Sequence, residues 1–334
     1  MSNSKIDWKL TNVLITGAGG FIGSHLTEEL LNMGANVTAL VNYNSRNDLG
    51  MLKYISQQKI EKLEILTGDI RDKYFVNTLT KNKEYVFHLA ALIGIPYSYI
   101  APNSYIETNI KGSANIFQGC LENKVKKIIH TSTSEVYGSA IYTPIDESHP
   151  LQGQSPYSAS KIGADMTATS YASSFGLPIS ILRPFNTYGP RQSSRAVIPT
   201  IISQAIKKRK VELGSLTPLR DLNYVKDTVN GFICLAESDF YQGEIFNLAS
   251  TKQISIGDLA DLIKKRLEIN FEIISSNKRK RPEKSEVDSL LGSAELLKMK
   301  TNWKPEFSLE EGIDLTINYI RNNIGNFDNE GYVV

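Results

Sequence analysis

After a polar lead, the chain opens on a short apolar run, Val13-Leu14-Ile15-Thr16, that ends in glycine. From Phe21 onward, the apolar residues Ile22, Leu26, Leu30 and Leu31 recur at helical spacing until Gly34 stops them. Apolar runs at 37–41, 63–66, 86–91, 128–131 and 179–182 predict five further strands, and helical stretches separate most of them. Strands alternating with helices predict an α/β protein: a doubly wound parallel sheet with right-handed crossovers and helices on both faces.

The alternation loosens after Pro184, where the segment Arg183–Arg195 carries Pro184, Gly189 and Pro190, a loop composition. Helical patterns then cover 196–208, 256–267 and 309–320, with short strands at 211–213, 245–248 and 271–274. These predict a smaller α/β unit over the sheet. The division expected is 1–185 and 186–334, with elements interleaved across the boundary.

Charge narrows the partners. With 37 Lys and Arg against 35 Asp and Glu, the net charge of +2 gives no reason to expect nucleic acid or an anionic membrane. The basic run Lys278-Arg279-Lys280-Arg281 has no second stripe to extend it. No run approaches 18 apolar residues, and residues 1–10 lack an apolar signal core, so a cytoplasmic location is expected. The two cysteines, Cys120 and Cys234, fall in apolar helical patterns and read as buried free thiols. No metal site is predicted.

The motif Gly17-Ala18-Gly19-Gly20-Phe21-Ile22-Gly23 stands where the first strand meets the first helix. A glycine turn brings backbone N–H groups close to a pyrophosphate, and the helix N-terminus favours its charge. Gly17, Gly20, Phe21, Ile22 and Gly23 are therefore candidates for holding a dinucleotide. Asp69-Ile70 closes the third strand; Asp69 can accept from an adenine amino group or cap the next helix. After the second strand, Asn42-Tyr43-Asn44-Ser45-Arg46 puts no acid where a ribose 2′-OH is usually held. Asn42 is a further candidate for the cofactor site, and Ser45 and Arg46 suit a 2′-phosphate, which tilts the expectation slightly from NAD to NADP.

Two further motifs carry chemistry. In Tyr157-Ser158-Ala159-Ser160-Lys161, the i, i+4 spacing puts Tyr157 and Lys161 on one face of a helix running to Phe175. A nearby ammonium and an oxidised nicotinamide both favour the ionised form of a phenol whose usual pKa is about 10, so Tyr157 can take a proton from a sugar hydroxyl. The run Thr131-Ser132-Thr133-Ser134-Glu135-Val136-Tyr137-Gly138 closes the fifth strand, and open α/β sheets place their sites at such carboxyl ends. Thr133 can bond the reacting hydroxyl. Once C4 of a hexose is a ketone, the carboxylate of Glu135 can remove the acidified C5 proton. Ser134 can then donate as water leaves C6.

These motifs resemble the extended short-chain dehydrogenase/reductase family, specifically its nucleotide-sugar epimerases and dehydratases. Further marks of the resemblance are Gly68-Asp69-Ile70-Arg71-Asp72, His88-Leu89-Ala90-Ala91, Arg183-Pro184-Phe185-Asn186-Thr187-Tyr188-Gly189-Pro190-Arg191, and Arg220-Asp221 before Tyr224-Val225-Lys226-Asp227. It implies a Rossmann dinucleotide domain followed by a nucleotide-sugar domain, with Leu89, Ala90 and Ala91 against the cofactor. It also implies that Tyr97, Ser98, Asn186, Arg191, Arg220 and Arg281 face a UDP- or GDP-linked substrate. Thr133-Ser134-Glu135 resembles the dehydratase set, and the stretch 144–161 looks most like dehydratases of nucleotide-linked N-acetylglucosamine in nonulosonic-acid (legionaminic or pseudaminic) pathways. The segment 46–51 departs from their aromatic pattern. The expected activity is 4,6-dehydration of an NDP-hexose such as UDP-N-acetylglucosamine. The alternatives are 4-epimerisation, a partial C4, C5 or C6 reaction, and decarboxylation of a nucleotide-glucuronate. The resemblance further implies a homodimer, and the small residues Ala159, Gly163, Ala164, Ala168 and Ala172 allow a partner helix to approach closely.

Overall fold

A computed structural model describes residues 6–239, 242–276 and 287–327. The large sheet contains β1 (Asn12–Thr16), β2 (Asn36–Asn42), β3 (Glu64–Gly68), β4 (Tyr85–His88), β5 (Lys127–Thr131) and β6 (Ile179–Pro184). The remaining strands are β7 (Asn186–Tyr188), β8 (Lys210–Leu213), β9 (Leu219–Tyr224), β10 (Gln242–Leu248), β11 (Gln253–Ser255) and β12 (Glu272–Ser275). The large sheet runs in the order β10-β6-β5-β4-β1-β2-β3, and every pairing in it is parallel. This is the doubly wound α/β architecture that the alternating pattern predicts.

Helices on both faces explain why the central strands read as unbroken apolar runs rather than alternating ones. In β5, Lys127 to His130 are all buried. One face carries Leu14, Val86, Ile116, Phe117, Ile128 and Ile181; the other carries Ile15, Phe87, Ile129, Leu182, Phe232 and Phe246. Helix boundaries follow local chemistry. Asp72 caps helix Lys73–Leu79 by accepting from the N–H groups of Tyr74 and Phe75. Reciprocal capping boxes start helices Pro156–Phe175 (Ser155 with Ser158) and Leu309–Asn322 (Ser308 with Glu311).

The second half does not form a self-contained unit. Strand 245–248, assigned by pattern to the smaller part, lies in β10 and pairs with β6 at the edge of the large sheet, Leu248 beside Pro184. Helix Val225–Glu237 packs Phe232, Leu235 and Ala236 into the same core. What remains is a three-stranded sheet, β11-β9-β7, and a pair, β12-β8. Ile198, Ile201, Ile202, Val211, Leu259, Ile263, Ile313 and Ile317 form the core around them.

Cys120 is fully buried, as expected, which pushes its thiol well up; Cys234 departs from the expectation and is only half-buried. No helix among the described residues is long and apolar enough to cross a membrane.

Candidate active site

A cleft of about 1450 Å³ crosses the carboxyl ends of the strands, from the glycine turn after β1 to the loop after β8. At its dinucleotide end, Gly17 adopts φ +72°, and a Cβ there would stand 2.8 Å from the backbone of Leu89 and Ala90. A Cβ on Gly23 would meet the Gly17 carbonyl at 2.2 Å. Both positions need hydrogen in place of a side chain, one for conformation and both for space. Gly20 precedes helix Phe21–Asn32 without a side-chain cap, so the first N–H groups stay available. Gly17, Gly20, Phe21, Ile22, Gly23, Asp69, Ile70, Leu89, Ala90 and Ala91 all line the cleft.

The loop after β2 is ordered by Asn44, whose Oδ1 accepts from the N–H groups of Arg46 and Asp48 at 3.2 and 2.8 Å. Asn42, Asn44, Arg46 and Asp48 line the cleft. Asp69 holds Arg71 through both carboxylate oxygens, and that guanidinium lowers its pKa.

At the reaction end, Tyr157 projects from helix Pro156–Phe175 with 7% exposure, edge-on to Tyr105 at 6.3 Å. Thr133 hydrogen-bonds its phenol. Lys161, one turn on, donates from Nζ to the Thr131 carbonyl at 2.7 Å. Burial pulls the Lys161 ammonium down to about 8, and Asp165 opposes the shift. Burial also raises the Tyr157 phenol well above its ordinary value; the Glu135 charge adds to this and the Thr133 bond works against it. The depressed phenol expected from the sequence is therefore not set by the protein alone. Desolvation dominates until further positive charge joins the site. Thr133, buried Ser134 and half-buried Glu135 sit at the cleft wall on the turn Ser134–Tyr137, where the Thr133 side chain accepts from the Glu135 N–H at 3.2 Å.

At the far end, Asn186, Gln192, Arg195 and Arg220 line the cleft with Leu213, Gly214 and Ser215. Among the described residues, Asn186 Oδ1 and Gln192 Oε1 are buried acceptors with no hydrogen-bond partner. Such groups are costly unless something completes them.

The chain matches the model of the GDP-mannose 4,6 dehydratase family over residues 14–316. It is 31% identical to the human dTDP-D-glucose 4,6-dehydratase, over 95% of this chain and 92% of that one. It is likewise 31% identical to a putative UDP-glucose 4-epimerase of Methanocaldococcus jannaschii, covering 93% of this chain and 99% of that one. The chain belongs to this family. It is an enzyme of the nucleotide-sugar dehydratase and epimerase group within the extended short-chain dehydrogenases/reductases. Among solved structures, the UDP-N-acetylglucosamine 4-epimerase of Methanobrevibacter ruminantium, in complex with UDP-N-acetylmuramic acid, superposes with TM-score 0.85 at 33% identity, over 94% of this chain and 99% of that one. The dTDP-glucose 4,6-dehydratase of Streptomyces venezuelae, with NAD and TYD bound, gives 0.83 at 25% over 95% and 99%.

Within this dehydratase and epimerase framework, several expected contacts fall elsewhere. Arg191, at φ +67°, turns away from the cleft; Nη2 donates to Glu28 at 2.6 Å and to the Tyr54 carbonyl at 3.4 Å. Ser98 is fully buried and donates to the Ile95 carbonyl at 2.6 Å, because it lies on the inner face of helix Ile95–Ile100; its neighbour Tyr97 faces the cleft. Ser45 is exposed and does not line the cleft, since the Asn44-centred turn points it outward. The capping role considered for Asp69 belongs to Asp72. Arg281 and the run Lys278–Arg281 lie outside the described residues. The small residues of helix Pro156–Phe175 largely serve its own chain: Ala164 and Ala168 are fully buried, and a Cβ on Gly163 would meet Ile110 at 2.6 Å.

Residues missed by sequence reasoning are Asp48, Arg195 and Leu213–Ser215. A cation just before helix Val197–Lys208 was a usable signal for Arg195. No spacing marks Leu213–Ser215, because only the packing of β8 brings them to the cleft.

Proposed function

We propose that the protein is a nucleotide-sugar 4,6-dehydratase acting on UDP-N-acetylglucosamine. The observation that carries this reading is Glu135, a carboxylate at the cleft wall beside Thr133, Ser134 and Tyr157. An epimerase that only removes and returns hydride at C4 has no use for a base there.

The glycine turn, with its close backbone approaches and uncapped helix start, fits a dinucleotide pyrophosphate. Asp69, Ile70, Leu89, Ala90 and Ala91 would flank the rest of it. When bound, a nicotinamide supplies a reversible acceptor for hydride from C4 and back to C6. We take the dinucleotide to be NAD: Asp48 brings a carboxylate to the ribose end that disfavours the 2′-phosphate expected from Arg46, and the Streptomyces relative carries NAD.

Tyr157 takes the O4 proton while Thr133 orients that oxygen. Lys161 places positive charge near the phenol and so favours its ionised form. With C4 a ketone, Glu135 removes the C5 proton, and Ser134 supplies a proton as the C6 hydroxyl leaves as water. Protonation at C5 completes a 4-keto-6-deoxy product with no net oxidation. Asn186, Arg195 and Arg220 suit the diphosphate, because amide and guanidinium donors match phosphate oxygens.

The decisive experiment is mass spectrometry of products from UDP-N-acetylglucosamine, UDP-glucose, dTDP-glucose and GDP-mannose, run in heavy water. Loss of one water with solvent label at C5 is expected. Retention of all C6 oxygen with inversion at C4 overturns the reading in favour of a 4-epimerase. That alternative draws on the 33%-identical epimerase structure. Glu135→Gln should abolish dehydration, whereas a simple epimerase carrying it would keep most of its activity.

The proposal includes a homodimer, built on the outward faces of the helical segments Ile106–Gly112 and Pro156–Phe175, where Ile106, Met166 and Phe175 are exposed. A monomer by light scattering would refute it.

A further inference from the structure

Beneath the catalytic segment lies a buried ion pair that the chemistry above does not use. Asp165 stands two turns beyond Tyr157 on the same helix and is fully buried. Arg183, on β6 and 1% exposed, donates from Nε and Nη2 to Asp165 Oδ2 at 3.0 and 2.9 Å. Ser132 Oγ donates to that same oxygen at 2.8 Å. From its other side, Arg183 Nη1 donates to the Tyr137 hydroxyl at 2.9 Å, and the guanidinium lies 4.9 Å from the Tyr137 ring centre. The Tyr137 hydroxyl passes on to Asn247 Oδ1 of β10 at 2.7 Å.

Ser132 and Tyr137 bracket the stretch Thr133–Val136. Its two ends are thus tied to opposite members of one ion pair, and the acid of that pair shares a helix face with Tyr157 and Lys161. Replacing a buried ion pair by apolar residues of similar volume is often neutral or stabilising. Fold stability is therefore a weak account of this pair, and its location is a better one. We propose that Asp165 and Arg183 form a positioning clamp that fixes the Thr133–Glu135 segment against the Tyr157 helix. Base and phenol then keep one spacing while they act on adjacent carbons of a single bound sugar. The clamp rests on the reading of Glu135 as the C5 base. Asp165 and Arg183 act through other residues and are not catalytic themselves.

Ser132→Ala and Tyr137→Phe each cut one tie without leaving a lone buried charge. In the holoenzyme, each should lower kcat about 10- to 100-fold with KM nearly unchanged, the scale of loss that a misplacement of about 1 Å produces. Amide hydrogen exchange should quicken at 132–137 and stay unchanged elsewhere in the sheet, and Ser132→Thr should restore the rate. Asp165→Asn, which removes the charge from the pair that joins the two ties, should be worse than either single variant. Unchanged kcat in both single variants overturns the clamp. So does a loss that simply tracks thermal stability, or exchange that rises across the whole sheet. If the wild-type product carries no C5 label, the dehydratase reading fails by itself. The clamp is then judged on the rate of nicotinamide reduction, because Thr133 on the same segment bonds Tyr157; an unchanged rate in the variants would overturn it there too.

Discussion

Tyr157 and Lys161 show how far side-chain identity goes and where environment takes over. Their spacing fixes a shared helix face. Burial then works against both charged forms, raising the phenol and lowering the ammonium to about 8. The ammonium is present below that value, and in the proposed mechanism it favours the phenolate. Lys161→Met removes it, so the acid limb of the kcat/KM profile should move to higher pH, with a loss at neutral pH of about 100-fold. A profile that keeps its position would mean that Lys161 only packs. Asp221 is a second case. Buried and, among the described residues, held by hydrogen-bond donors rather than a cation, it is pushed up to about 6 while accepting from the Ser250 N–H and hydroxyl, the Thr251 N–H and the Gly292 N–H. Between its ordinary value near 3.8 and 6 the folded state holds more protons than the unfolded one, so this residue's contribution to stability falls as pH rises through that window. Asp221→Asn removes the titration. Urea unfolding should then show the variant gaining on the wild type from pH 4 to 6, and a constant difference would refute the assignment.

Elements place these residues. The glycine turn works because β1 delivers Gly17 against the backbone after β4 and the helix start sets Gly23 against the Gly17 carbonyl, so that neither position has room for a side chain. Gly23→Ala should weaken dinucleotide binding at least tenfold, about 1.4 kcal/mol, as measured by fluorescence titration, and should cut activity in step. Normal affinity would show that the turn yields easily. The glycine spacing was legible in the sequence because it is local. The fates of Arg191 and Ser98 were not. A positive φ turned one side chain toward Glu28, and the inward face of a single helical turn hid the other.

The whole molecule is one interleaved body. Residues 1–185 lack β10 and the apolar residues Phe232, Leu235, Phe246, Leu248 and Trp303, which cover one face of the sheet. A fragment ending at 185 should therefore show no cooperative urea transition, whereas the full chain should show one; a fragment that melts cooperatively would refute this dependence. The alternation of apolar runs and helical periods, together with the motifs at strand ends, determined six strands of the large sheet, the glycine turn and the candidate residues Thr133, Ser134, Glu135, Tyr157 and Lys161. Those signals are written in short windows by backbone period and turn chemistry. Only the tertiary structure decided that β10 closes the large sheet, that Arg195 and Leu213–Ser215 reach the cleft, and that Ser132, Tyr137, Asp165 and Arg183 meet beneath it. These contacts join residues far apart in the chain, and their energies depend on burial and approach distance, which no local pattern encodes.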